Sequence, residues 1–216
     1  MSEKIKVSKI AQLRYRSWDL KTIMIEKWQV VLLICLFWAG MLIGCIFING
    51  DKSVLLSKIE RIIESGYAAR TEYTSFQLFK NSLLTHGLFL VLSYFFGMSA
   101  IGYPFICLIP LLCGVSNGMV TGFIYSSFGI KGFLYCLTTV YPGLVIALVA
   151  LIIGSCEALH MSVDIFRILS DKNRISTENS ARKYGYQFCI LSGIIILSAV
   201  ADTVLCNFFL ERFNLF

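Results

Sequence analysis

The sequence predicts an all-α fold, a polytopic helical bundle embedded in a membrane. The chain of 216 residues is 57% hydrophobic and only 15% charged, whereas ordinary soluble domains carry about 25% charged residues. The charges are also segregated, because fifty residues between Lys80 and Lys131 and twenty-five between Lys131 and Glu157 carry none. A helix needs about 20 apolar residues to cross a bilayer. The chain therefore has room for about five transmembrane helices, with central helices broken by glycine and proline, and for amphipathic interfacial helices.

The first element, residues 1–27, is a basic segment with seven basic and three acidic side chains. Apolar residues are interleaved with these charges, which is typical of an amphipathic helix on the cytoplasmic leaflet. A solvated tail that only orients the first span explains the same pattern equally well. The first span follows, from Trp28 to Ile48, and the whole chain, residues 1–216, is treated as one membrane domain.

The next segment, residues 49–81, is polar and is expected outside the membrane core. Leu55, Ile59 and Ile62 repeat at helical spacing, while Lys58 and Glu60 lie on another face. This pattern predicts an amphipathic helix. Two interpretations stay open: the apolar face lies in the lipid headgroups, or it is presented to a protein partner.

The second span is predicted from Ser82 to Ala100, and Pro104 marks the start of the third. Proline is tolerated there because the N–H that it lacks has no partner in the first turn of a helix. Further along, Pro110 is expected to bend the third span. Asn117 is then a polar side chain that can bond the freed carbonyl or a neighbouring helix.

A glycine face dominates the third span. Gly114, Gly118 and Gly122 are each four residues apart, so they share nearly one side of the helix. Small residues at this spacing let another helix backbone approach closely in lipid. The face serves packing inside the bundle or, equally, a homo-oligomer.

The fourth span, about residues 133–155, contains a predicted helix break at Pro142 and Gly143, which is either a packing kink or part of a substrate site. The last span, about residues 187–210, contains Asp202. A carboxylate at a helix centre costs about 2.5–3.5 kcal/mol to insert, so Asp202 is a candidate functional residue. It bonds to Asn117, Tyr141 or the broken helix backbone, or it lines a path for protons or substrate. We expect the glycine face to let Pro142 and Asp202 come close.

The loop 157–186 is polar and is predicted to be cytoplasmic. With the amino terminus inside, five crossings place twelve basic residues in the cytoplasm and seven outside. Basic residues favour the cytoplasmic side. The count predicts a protein of the cell (plasma) membrane with a cytoplasmic N-terminus and an extracytoplasmic C-terminus.

Sites of chemistry are scarce. The sequence has no His-Glu-x-x-His pair and no phosphate-binding loop. Glu157 and His160 are three residues apart but lack a third metal ligand, so they are interpreted as a structural pair. The eight cysteines all fall in apolar runs without a Cys-x-x-Cys motif, which is typical of packing residues. We expect no enzyme activity, no cofactor, no metal and no nucleic-acid partner.

Glycines and prolines recur in a fixed order in the middle of the chain: GMSAIGYP at residues 97–104, then Gly114, Gly118, Gly122 and Phe123, FGIKGF at residues 128–133, and Pro142. This pattern resembles the signature of the stage II sporulation protein M family, small five-span bacterial membrane proteins. The acidic residue in the last span, here Asp202, is similar to the family too. In relatives a polar residue usually follows the span-four proline, where this chain has Gly143.

The resemblance implies a non-enzymatic membrane scaffold. Such a scaffold recruits peptidoglycan-remodelling proteins during septal wall degradation and engulfment in sporulation. The implied partners are the lipid bilayer and membrane or extracytoplasmic proteins such as peptidoglycan hydrolases. A second class of function stays open, a membrane subunit of a transporter or permease with a substrate or proton path near Pro142 and Asp202.

Overall fold

The computed structural model describes residues 28–48, 75–170 and 177–213, and no strand occurs among them. The helices are α1 (Trp28–Ile48), α2 (Ser75–Gly97), α3 (Tyr103–Tyr135), α4 (Tyr141–Ser170) and α5 (Thr177–Phe213). A π-helical turn, Cys136–Val140, joins α3 to α4. The prediction of an all-α bundle is confirmed. Residues 1–27 and the candidate partner-facing residues Leu55, Ile59 and Ile62 lie outside the described residues.

The helices are longer than the predicted spans. α2 begins at Ser75, seven residues before the predicted start at Ser82. α4 continues to Ser170 and α5 begins at Thr177, so most of the predicted loop 157–186 is helical. Apolar content marks only the part of a helix that lies in hydrocarbon, whereas its backbone hydrogen bonds continue into the polar headgroup region. The sequence pattern therefore underestimated helix length at the membrane surfaces.

The helix directions alternate along the chain. The chain reverses at Gly129, the one residue of α3 with non-helical backbone angles (φ 61°, ψ −139°). Pairs of residues in contact fix the other directions. Gly114–Phe37 and Gly118–Met41 make α1 and α3 parallel, and Ser93–Ser155 and Gly97–Ala158 make α2 and α4 parallel. Gly143–Asp202 and Gly154–Leu191 make α4 and α5 antiparallel. As a result α1, α3 and α5 run one way and α2 and α4 the other.

Within the described residues, three stretches are long and apolar enough to cross a membrane: Trp28–Ile48, Tyr103–Phe166 and Ala181–Phe208. The second has 64 residues and contains two passes, because it doubles back at Gly129. α2 falls short of this standard, since its first half carries the polar residues Lys80, Asn81 and His86. The alternating directions suit five crossings, but the count itself stays a prediction.

A few small polar side chains are buried within a mainly apolar core, and large apolar side chains also cover the outside of the bundle. Ser93, Ser155 and Ser198 are fully buried, as are the apolar Leu33 and Ile106, whereas Ile101 and Ile130 are each 73% exposed. An apolar outer surface is expected where the surrounding solvent is hydrocarbon. Together with the apolar stretches, it identifies a polytopic membrane protein.

α1 and α3 touch through glycines on both helices. A Cβ at Gly118 would overlap the carbonyl oxygen of Met41, and a Cβ at Gly44 would overlap the carbonyl oxygen of Val115. The thiol of Cys45 also donates to the Gly118 carbonyl oxygen at 3.2 Å. Gly40 on α1 and Gly114 on α3 make equally close backbone contacts, whereas a Cβ at Gly122 would first meet the Ile48 side chain.

This contact corrects one expectation. The glycine face of α3 packs against α1 and does not bring Pro142 towards Asp202. The reason is that α1 carries its own pair of glycines four residues apart, Gly40 and Gly44, which complements the face.

The three prolines behave differently from one another. Pro104 lies in the first turn of α3, as expected. Pro110 lies inside α3 and does not break it, because the backbone angles stay helical there, and the bend expected at Pro110 stays a prediction. Its ring is fully buried, and close packing by neighbouring helices is what allows proline inside a membrane helix. Only Pro142 accompanies a change of helical path, the π turn.

We expect Gly118→Leu to separate α1 from α3, because the obstacle to the new side chain is the Met41 backbone, which cannot rotate away. Overpacking typically costs ~1–3 kcal/mol, and the loss here should lie at the upper end of that range. Gly87→Leu is the matched control, since a Cβ at Gly87 meets nothing within 4 Å. The measurement is thermal unfolding of both variants in the same nanodiscs. Equal melting temperatures would contradict the packing described.

Candidate functional site

The helical path widens just before Pro142. The backbone N–H of Tyr141 donates to the carbonyl oxygen of Cys136, five residues back, where an α-helix would use the residue four back. Pro142 follows and has no N–H to donate. Single π turns inside long helices are frequent at functional sites, so Cys136–Val140 marks the first place to look for one.

α5 docks onto the backbone directly after this turn. The Ser198 hydroxyl donates to the carbonyl oxygen of Gly143 at 2.7 Å. A Cβ at Gly143 would lie 3.0 Å from the Cβ of Asp202 and 3.4 Å from the Ser198 carbonyl oxygen. Glycine at position 143 therefore sets how closely two polar residues of α5, one turn apart, approach α4.

Asp202 itself is 6% exposed. Of the environments that the sequence left open for it, the structure places it beside the backbone of Gly143, next to the π turn. An ionisable residue at this depth is rare and by default marks a functional site in a membrane protein. Asp202 is the only aspartate or glutamate that α5 carries between Ala181 and Phe208, its candidate membrane span.

Thr139 lies inside the π turn and is fully buried. Its hydroxyl has no hydrogen-bond partner within the part of the chain that the structure describes. α4 and α5 are antiparallel, and Gly143 contacts Asp202. Thr139, one turn before Gly143, therefore lies near the level of Cys206, one turn after Asp202. We call Thr139, Gly143, Ser198 and Asp202 the π-turn cluster. It offers hydroxyls, a carboxylate and backbone carbonyls, the groups that fasten helices together or hold a proton.

Two other polar residues considered as partners of Asp202, Asn117 and Tyr141, lie on α3 and at the start of α4. Asn117 donates to the carbonyl oxygen of Cys113, in its own helix, at 2.8 Å. It does not bond the carbonyl freed by Pro110, one of the two partners that the sequence had suggested. Asn117 lies seven residues after Pro110 and bonds more readily to the preceding turn of its own helix. The hydroxyl of Tyr141 lies 3.5 Å from that of Thr121 and links α3 to the start of α4.

A second group of polar contacts lies at the opposite end of the bundle. Three of them tie one helix to another: His160 to Gln29 at 3.1 Å, Gln187 to Glu157 at 2.9 Å, and Tyr184 to the Tyr94 carbonyl at 3.0 Å. The fourth ties α4 to the turn after α2, from Ser162 to the Ser99 carbonyl at 2.8 Å. Glu157 and His160 thus hold different helices rather than each other. Among the described residues no group of three or more side chains is arranged to bind a metal ion.

The glycine face of α3 also contains a sequence pattern that occurs in hydrolases. Residues 114–118 read Gly-Val-Ser-Asn-Gly, the spacing of a nucleophile elbow, which requires a strand-to-helix turn. Here the residues lie in the middle of α3, and Ser116 is on the exposed side of the helix. The pattern therefore belongs to the glycine face and is not a hydrolase motif.

Four residues that the sequence analysis did not single out shape the site and its support. Gly40 and Gly44 were visible as a pair four residues apart, and Ser198 was visible as a polar residue one turn before Asp202. Thr139 gave no signal, because the π turn that buries it depends on tertiary packing.

A family comparison covers nearly the whole described bundle. The family model Stage II sporulation protein M matches residues 33–204, from α1 to the turn of α5 that carries Asp202. The chain belongs to the stage II sporulation protein M family. No curated protein and no solved structure shows significant similarity to it. The match spans both the α1–α3 glycine contact and the π-turn cluster, so both are features of a stage II sporulation protein M chain.

We expect Gly143→Ala to lower stability and the second change Asp202→Gly to restore part of the loss, because the added methyl group meets the Asp202 Cβ at 3.0 Å. A double-mutant cycle measured by unfolding in nanodiscs should give a coupling of about 0.5–3 kcal/mol, the range for residues in contact. Gly193→Ala, where a Cβ meets nothing within 4 Å, is the control. Additive effects of the two changes would show that α4 and α5 do not touch here.

Proposed function

We propose that this member of the stage II sporulation protein M family is a non-enzymatic scaffold of the cell membrane. It recruits peptidoglycan-remodelling proteins, such as hydrolases, during septal wall degradation and engulfment in sporulation. Family membership supplies the sporulation context. The remaining argument comes from how the bundle uses its polar groups.

The observation that carries the proposal is that polar side chains join helices. Ser198 bonds to α4, Tyr184 to α2 and His160 to α1, so hydrogen bonds fix the positions of four helices. A rigid framework is what a scaffold needs in order to present a binding surface. It is the opposite of what alternating access requires, where helices rock against one another around a site.

The alternative, a transporter or permease subunit, rests on Asp202 beside the π turn. Two spaces between the helices do not support the transporter alternative. An open groove of about 360 Å³ lies between α2 and α5, and a cavity of about 10 Å³ lies beside His86, Cys113 and Leu144. Neither is lined by Asp202, so neither offers a path to it.

The surface offered to partners is proposed to be the predicted amphipathic helix of segment 49–81, with Leu55, Ile59 and Ile62 as its apolar face. The basic-residue count predicts that this segment lies outside the cell, the side on which peptidoglycan is found. Reporter fusions at the two termini test that orientation, and an extracytoplasmic N-terminus would overturn it.

We expect Leu55→Glu, Ile59→Glu and Ile62→Glu together to abolish co-purification of peptidoglycan hydrolases from intact sporulating cells, because three charges on one helix face prevent its apolar contact. The matched control is Glu60→Gln with Glu64→Gln, on another face of the same segment. Membrane levels of all variants should stay equal. Hydrolase recovery undiminished in the triple variant would refute this partner surface.

A further inference from the structure

The groove between α2 and α5 has a chemistry that the scaffold function does not use. It is open on one side and holds about 360 Å³, with walls formed by Leu90 and Tyr94 of α2 and by Gly185, Phe188, Cys189 and Ser192 of α5. Most of the exposed lining of the groove is apolar. α5 belongs to a candidate membrane span, Ala181–Phe208, so the groove opens toward lipid.

α5 presents small residues along the groove. Gly185, Cys189 and Ser192 lie within about 60° of one another around the helix, and a Cβ at Gly185 would meet nothing within 4 Å. An unfilled space of this kind forfeits dispersion contacts on every wall. A flexible apolar chain restores those contacts, and the volume suits roughly ten methylene groups if each takes about the ~30 Å³ of a liquid water molecule.

A cation stands at one end of the groove. Arg182 is exposed and precedes Gly185 by three residues, which places it within about 60° of the groove on the same side of α5. It lies at the polar end of the apolar stretch that begins at Ala181. A guanidinium at this level faces the phosphate layer and bonds phosphate oxygens in pairs.

Among the acidic residues at this end, Glu178 lies one turn beyond Arg182 on α5, farther from the groove, and Glu157 lies on α4. Glu157 accepts a hydrogen bond from Gln187 at 2.9 Å, and Gln187 lies about 160° around α5 from Gly185. Lys183, the other basic residue of this turn, is exposed but lies about 100° from Arg182, away from the groove.

We propose that the α2–α5 groove binds one acyl chain of an anionic phospholipid, with Arg182 at its phosphate. The groove provides contact for the chain, and Arg182 selects the charge of the headgroup. A neutral phospholipid enters the same groove with lower affinity, because phosphatidylcholine carries a cation that offsets its phosphate.

The test is native mass spectrometry of the full chain with phosphatidylglycerol or phosphatidylcholine of identical acyl chains. The parent should retain phosphatidylglycerol with about five-fold higher affinity, the factor that corresponds to about 1 kcal/mol per basic residue at an anionic surface. Arg182→Gln should remove this preference, and Lys183→Gln, the matched control, should keep it.

A second pair of variants tests the groove itself. Cys189→Trp fills it and should lower occupancy by both lipids at least five-fold, whereas Cys35→Trp, at an exposed cysteine of α1, should leave occupancy unchanged. Helical content by circular dichroism confirms that each variant is folded. The proposal is overturned if Arg182→Gln keeps the preference, if Cys189→Trp retains both lipids, or if Cys189 cross-links two copies of the chain efficiently in phosphatidylglycerol vesicles.

Discussion

Backbone-to-backbone contact between helices is the constraint on which the rest of this bundle depends. Lipid tails are as apolar as leucine side chains, so burying apolar surface gives helices little reason to associate, and close packing must replace it. Gly44 and Gly118 bring α1 and α3 together, and Gly143 does the same for α4 and α5. In each case the missing side chain lets one helix reach the backbone of the next.

The second feature suited to lipid is the small set of polar side chains buried inside the bundle. Ser198 and Asp202 meet the chain where the π turn and Pro142 interrupt regular α-helical bonding. Irregular backbone at membrane depth is tolerated where protein covers it, and α5 provides that cover. The same contacts that satisfy the backbone also fix α5 on α4, which is why the site supports a framework better than a moving gate.

Composition and spacing were enough to predict the fold class, because lipid restricts the structures that an apolar chain can adopt. The order of glycines and prolines resembled the signature of the family, which the family model confirms. The partner of the glycine face could not be predicted from that face alone. The pair on α1, Gly40 and Gly44, decides it, and only tertiary structure shows which small-residue faces meet. Likewise Pro110 and Pro142 look equivalent in sequence, but packing keeps one helix regular and allows the other to widen.

The most direct measurement of the central claim is magic-angle-spinning NMR of the full chain in lipid, with glycine and methionine labelled with ¹³C. The account predicts a cross-peak between Gly118 and Met41, residues far apart in sequence whose backbones touch. The sequential pairs Gly40–Met41 and Gly118–Met119 provide internal standards. Strong sequential peaks without the Gly118–Met41 peak would contradict the account, because α1 would then not pack on the glycine face of α3.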